Sequence, residues 1–278
     1  MYNLRYHITS LVAVFLSLSI GLLLGTIVVE RGTLDRQKES IIESLQEEFR
    51  TLNTANTDLR EALTSREELV DALLESAVEG TLEGRTVLVV ASTGRADGLG
   101  STADAIRSAG GTPVTLLLSA PMLGAGEASV SSVVTETIGP VEADALVDEI
   151  ADQLAAEWLL PVDVRPLTAV LDEAGVLRVD GDEGAPIDAV AVLASFEGAP
   201  DEGALAFARS LADGGVAACG IEAQSQTTGV AAAALESGLS GVDHIGTPEG
   251  AYSLIWVLSG RADGYYGIGD GAQAPWPR

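Results

Sequence analysis

The chain has 278 residues, with 41 acidic against 15 basic side chains, a net charge of −26 and a single cysteine. So acidic a surface repels nucleic acid and anionic lipid, and one cysteine excludes an internal disulfide framework without naming a compartment. Lys38 is the one lysine, a scarcity that a saline habitat also selects, so the acidity by itself designates no partner.

Ile8 to Val29 is a run of 22 residues without a charge. At about 1.5 Å per residue a helix over it covers roughly 33 Å, enough to cross the hydrocarbon core of a bilayer. A cleavable signal peptide has a shorter apolar stretch ending at small residues, whereas this run closes on Gly25-Thr26-Ile27-Val28-Val29-Glu30. Residues 1–30 are read as an uncleaved transmembrane anchor. Along it Ala13, Ser17, Gly21 and Gly25 recur every four residues, a spacing that lets two helix backbones approach closely in lipid. Arg5 precedes the run, while Arg31, Arg36 and Lys38 follow it among Glu30, Asp35 and Glu39, so flanking charge does not decide which side holds the rest of the chain.

Residues 31–80 carry a different period. Ile42, Phe49, Asn56, Leu63, Val70 and Ala77 recur every seven residues, and Leu45, Leu52, Leu59, Arg66 and Leu73 do so three residues later. With no Gly or Pro from Thr33 to Val78, this is an a/d seam of a coiled-coil stalk. The alternative is an amphipathic helix packed on its own globular domain, but that packing does not require a strict period of seven. Asn56 at an a position is best satisfied by the same residue on a parallel partner, and Arg66 is a second polar defect. At about 1.5 Å per residue the stalk would hold the rest of the molecule roughly 50 Å from the bilayer.

After Glu79-Gly80-Thr81, residues 84–278 are long enough for one α/β domain. Thr86–Ser92 reads as a buried strand, then a Gly-rich loop, a helix over Ser101–Ala109 and a strand over Pro113–Ser119. A helix over Val141–Leu160, a strand over Ala189–Ala194, a helix over Glu202–Ala212, a strand over Val216–Ile221 and a last helix near Pro248–Ser259 come next. Apolar strands alternating with helices predict a parallel, Rossmann-like sheet covered on both faces.

Chemistry is sparse in this part. Thr93 to Gly100 sits where doubly wound folds hold phosphates, but it matches neither dinucleotide nor P-loop spacing and reads as a turn. Cys219 with His244 beside Asp243 is a conceivable nucleophile and base, though a lone cysteine is usually a small core residue. Asp144, Asp148 and Asp152 recur every fourth residue, a ladder that could hold a divalent cation but that a solvated helix face also produces. Asp180-Gly181-Asp182-Glu183-Gly184 resembles the start of a calcium loop but has Ala191 where the twelfth-position acid belongs. No catalytic residue and no cofactor is evident.

The opening Asn3-Leu4-Arg5-Tyr6-His7-Ile8-Thr9-Ser10-Leu11-Val12-Ala13-Val14-Phe15-Leu16, running into Gly21-Leu22-Leu23-Leu24-Gly25, resembles the start of the actinobacterial MctB family of copper transport proteins. The closing Val242-Asp243-His244-Ile245-Gly246-Thr247-Pro248-Glu249-Gly250 and Gly264-Tyr265-Tyr266-Gly267 resemble that family's tail. The resemblance implies an envelope protein, facing outward from the cytoplasmic membrane or reaching the outer membrane, that takes part in copper homeostasis or efflux. Copper enters by this resemblance alone. Copper(I) prefers clustered thiolate, thioether or imidazole, and Cys219, Met122 and His244 have no short spacing between them.

The expectation is therefore a non-enzymatic, membrane-anchored protein that pairs as a parallel homodimer through Ser17, Gly21, Gly25, Ile42, Leu45, Phe49, Leu52, Asn56, Leu59, Leu63, Val70 and Leu73. The alternative is a scaffold whose stalk presents a non-catalytic α/β domain to an envelope or cell-division partner.

Overall fold

An uninterrupted helix, α1, runs from Leu4 to Val78, 75 residues without a helix breaker beyond the glycines of the apolar stretch and Gly32. The computed structural model describes residues 4–94, 97–162, 164–182, 184–223, 228–269 and 271–278, and in α1 only the backbone of residues 4, 27–37 and 75. The chain forms two units, Met1–Glu68 and Leu69–Arg278. The first is helix throughout its described length. Its segment Arg5–Thr26 has a mean hydropathy of 2.3 and is long and apolar enough to cross a membrane. The segment Leu69–Val78 of α1 belongs to the second unit and stops where Gly80 takes a left-handed φ of 70°, with Thr81 N–H bonding back to the Val78 carbonyl.

The second unit is mixed α/β. Its elements are β1 (Thr86–Ser92), α2 (Leu99–Ser108), β2 (Thr112–Leu118), a 3-10 turn (Pro121–Gly124), α3 (Ala128–Ile138), α4 (Leu146–Trp158), α5 (Pro166–Glu173) and β3 (Leu177–Asp180). After these come β4 (Ala189–Val192), β5 (Ser195–Phe196), β6 (Ala199–Pro200), α6 (Glu202–Asp213), β7 (Ala217–Ile221), α7 (Val230–Glu236), β8 (Ser240–Val242), α8 (Pro248–Leu258) and β9 (Tyr265–Tyr266). Seven strands form one sheet in the order β3-β2-β1-β4-β7-β8-β9, and β5 pairs with β6 as a small hairpin. All neighbours in the large sheet are parallel except β3, which runs antiparallel to β2 with Leu118 opposite Leu177.

Strand periodicity explains why both faces are covered. In β1, Leu88 and Val90 enter one core with residues of α3 to α7, while Val87 and Val89 enter the other with residues of α2, α8 and the end of α1. Trp158, Phe207, Ile150 and Leu154 are fully buried in the first core. Each such side chain contributes about 1.5–3 kcal/mol of burial. On the same side α7 lies close to the sheet because β7 and β8 carry glycines under it. A Cβ on Gly220 would sit 2.5 Å from the Ala234 Cβ, and one on Gly241 would sit 2.5 Å from the Ala231 carbonyl oxygen.

Three sequence expectations are corrected. The helix expected over Val141–Leu160 begins at Leu146, because residues 143–145 form a turn, and α2 begins at Leu99 rather than Ser101. The expected all-parallel sheet has an antiparallel edge in β3, a four-residue strand that returns directly beside β2.

Candidate functional site

The heptad residues occupy a bare surface. From Lys38 to Leu69 every side chain of α1 is exposed, and Ile42, Leu45, Phe49, Leu52, Leu59, Leu63 and Leu73 are 51–75 % accessible. Asn56 is exposed among them and Val70 is half-buried. Ser17 is exposed with its hydroxyl donated to the Val14 carbonyl at 2.9 Å, and Gly21 and Gly25 have open space where a Cβ would stand. Seven large apolar side chains therefore lie uncovered along one helix.

In the second unit the unusual features collect at the carboxyl ends of the parallel strands, where open α/β sheets place their sites. Ser92 closes β1, Asp201 lies beyond β4, Glu222 follows β7 and Asp243 follows β8. All four are buried. Three non-glycine residues in left-handed backbone, Met122, Leu123 and His244, lie just beyond β2 and β8. A fourth, Glu197, is simply a central residue of the β5–β6 hairpin turn.

Asp201 explains the first pair. Its carboxylate accepts the Ala204 N–H at 2.8 Å, capping α6, and the Met122 N–H at 2.7 Å. Gly203 allows the Met122 backbone to pass so near that a Cβ there would stand 2.8 Å from the Met122 Cα. Burial raises the Asp201 carboxyl above its ordinary range, the backbone bonds from Met122 and Ala204 oppose that shift, and neighbouring Glu202 adds to it.

Asp243 is the centre of the opposite end. Its Oδ2 accepts the Tyr265 hydroxyl at 3.0 Å and the Gly269 N–H at 2.8 Å. Its Oδ1 accepts the Ile268 N–H at 2.9 Å and hydrogen-bonds with His244 Nδ1 at 2.5 Å. Burial pushes this carboxyl up, but the bonds from His244, Ile268, Gly269 and Tyr265 together outweigh it and hold the group below its usual value of 3.8. Gly267 is obligatory, because a side chain there would collide with the Asp243 carboxylate. The His244 carbonyl in turn accepts the Thr247 N–H and hydroxyl at 2.8 and 2.9 Å, and the Thr247 hydroxyl caps α8 by accepting the Gly250 N–H. This pair ties β8, α8 and the tail around residues 265–269 into one edge.

Glu222 is buried at the end of β7, and its Oε1 has no hydrogen-bond partner among the described residues. Burial raises its carboxyl above 4.5, backbone N–H groups of Ala231, Gly229 and Val230 oppose the shift, and Asp243 adds to it. A raised folded value means the unfolded chain ionises first, so ionised Glu222 costs stability progressively as pH rises above about 4.5. The variant E222Q is therefore expected to gain stability on the wild-type chain between pH 4.5 and 7. Parallel thermal melts across that range check it, and a difference independent of pH would contradict it.

The remaining sequence candidates resolve into structure. Cys219 is fully buried in β7, and burial pushes its thiol up to about 12, the opposite of what a nucleophile requires. Asp148 and Asp152 lie on α4 facing α6, Asp152 accepting the Ser210 hydroxyl at 2.5 Å and Asp148 standing 4.0 Å from Arg209, while Asp144 lies in the preceding turn. Asp182 Oδ1 accepts the Gly184 N–H at 2.9 Å, a tight turn, and Glu183 lies outside the described residues. In the Gly-rich loop Arg95 and Ala96 lie outside them too. Gly98 opens α2 at φ 87°, packed near Leu193, Ala223 and Ile245. Among the described residues no three His, Cys, Asp or Glu side chains gather as metal ligands.

Sequence reasoning missed Asp201, Glu222 and Tyr265. A signal existed for the two acids, since each stands directly after a strand ending in an apolar residue or proline. Tyr265 stands in the family-like tail, but nothing local tied it to Asp243, 22 residues away.

Compared with known families, residues 1–277 match the family described as copper transport outer membrane protein, MctB. No curated protein matches the chain significantly.

Proposed function

The chain belongs to the MctB family, and from that premise we propose a membrane-anchored envelope protein that acts in copper homeostasis or efflux without catalysing a reaction. The observation that carries this reading is the extent of the family match, which spans both units rather than the apolar helix alone. The candidate span Arg5–Thr26 supports a single-pass anchor, and in this reading the second unit stands on the extracytoplasmic side. The order of strands, reversing at the adjacent β1 and β4, supports a Rossmann-like assignment for that unit. The heptad period supports a coiled-coil stalk.

Copper is cargo here, not a resident cofactor. Cys219 is buried with its thiol held protonated, Met122 is half-exposed on a constrained turn, and His244 is engaged by Asp243. These three do not make a copper(I) ligand set, so no transport step is assigned to them.

Deleting the gene is expected to raise cellular copper and lower copper tolerance, with both restored by the full-length chain. Metal content measured in wild-type, deletion and complemented cells decides the matter; unchanged copper in the deletion strain would overturn the proposal.

A further inference from the structure

We propose that the exposed seam of α1 is the interface of a parallel, in-register homodimer, and that the anchor presents its small residues on the same face. This goes beyond the copper reading, and its parallel orientation rests on the single-pass anchor of the proposed function.

The first observation is geometric. Ile42, Leu45, Phe49, Leu52, Leu59 and Leu63 are all at least 51 % accessible on a helix that is unbroken through the seam. Surface of this kind, repeating strictly in sevens, is buried most completely by an identical helix, where each knob enters a hole of four residues. Counting back in sevens from Ile42 lands on Gly21, and from Leu45 on Ser17. The helix is continuous between them, so the small-residue face of the anchor and the a/d face of the seam share one phase. A supercoil of period 3.5 keeps both against the same partner.

The second observation is chemical, and it selects the partner. In a parallel pair Asn56 meets Asn56 of the second copy, where each amide can donate to and accept from the other. At the Arg66 layer a d side chain packs beside the e position of the facing helix, so each guanidinium lies next to Glu67 of the second copy. The g-to-e contacts set Glu48 against Asn53, Ala55 against Arg60 and Ala62 against Glu67, and the like charges of the pair meet in the d layer, where Arg66 faces Arg66 and the two Glu67 carboxylates offset them. An antiparallel pair can also be drawn, with Asn56 opposite Arg66. It sets Arg60 against Arg60, a cost like that of Arg66 against Arg66 in the parallel pair, so what decides between them is that it carries the two anchors to opposite ends of the pair, which two anchors in one membrane forbid.

Cross-linking of the full chain in intact membranes tests this. The variant L52C, in a C219A background, is expected to convert most of the chain to a disulfide-linked dimer under mild diamide oxidation. Adding L45D and L59D should abolish that product while the tryptophan fluorescence of the second unit stays unchanged. Co-expression of F49C and L73C copies bearing different tags separates the orientations, since these positions face each other in the antiparallel pair and lie roughly 36 Å apart along the helix in the parallel one. A mixed-tag cross-link, or no L52C dimer at all, would overturn the proposal.

Discussion

Replacing Asp243 by Ala is expected to lower the unfolding free energy by about 3–5 kcal/mol, the largest effect of any single polar substitution in the second unit. The carboxylate takes bonds from the Ile268 and Gly269 N–H groups, the Tyr265 hydroxyl and His244, and it is itself buried. Alanine removes the acceptor of the Ile268 and Gly269 N–H groups, and the tail that Gly267 brings against the carboxylate loses its fixed point. The pH dependence comes from the depressed carboxyl. Its contribution is fully present above the unfolded value near 3.8 and is lost as pH falls through the lower folded value. Thermal unfolding of the full chain in detergent, monitored by tryptophan fluorescence from pH 3 to pH 7, measures both. D243N should lose most of the stability and this acid dependence together. A D243A midpoint equal to wild type at pH 7 would show that the edge does not depend on this carboxylate.

A second large effect is expected at Glu157, which sits at the end of α4 and governs the start of α5. Its Oε1 accepts the Leu167 N–H at 2.7 Å, and its Oε2 accepts the Thr168 N–H and hydroxyl at 3.0 and 2.9 Å. All three residues are buried, so the N–H groups that a helix start leaves open have no water to turn to. E157A should cost about 2–4 kcal/mol, combining a lost cap with unpaired buried donors. E157Q keeps one acceptor oxygen and should cost roughly half as much. Neighbouring Arg165 lies 4.2 Å over the Trp158 ring and donates its Nε to the Glu157 backbone carbonyl, contacts that both variants leave in place. Denaturant titration read at the tryptophans gives the comparison. Equal midpoints for E157A and wild type would mean α5 finds another cap.

Beside the copper reading, these two sites clarify what the second unit's conspicuous carboxylates do. Asp201, Asp243 and Glu157 all accept backbone N–H groups. They spend their hydrogen-bonding capacity on helix starts and returning loops. Glu222 likewise meets the backbone N–H groups of Gly229, Val230 and Ala231 at the start of α7, although its Oε1 has no partner among the described residues.

Legibility in the sequence tracked the range of the interaction that made each feature. Thr86–Ser92 is visible as a strand because seven consecutive residues alternate between two buried faces, and its limits agree with β1. The break after Val78 is visible because Gly80 is needed there for a left-handed turn. By contrast, β8 is three residues including a glycine, and α7 is an alanine-rich turn without an amphipathic stripe, so neither carries a period long enough to read. His244 stood out in the sequence as a base beside a lone thiol. The fold puts that thiol inside a strand and turns the histidine toward Asp243.

By itself the sequence determined an apolar helix long enough for a membrane, a seam repeating in sevens, and strands alternating with helices. Each is a pattern within a few turns of chain, set by local geometry of 3.6 or 2 residues per repeat. Only the tertiary structure decided that β3 runs antiparallel, that β4 returns beside β1, and that Asp201 reaches Met122 across 79 residues and Asp243 reaches Gly269 across 26. Such pairings depend on where the whole sheet places strand ends that are remote in sequence. A buried carboxylate takes whichever donors arrive there, because leaving it unpaired costs more than any local preference.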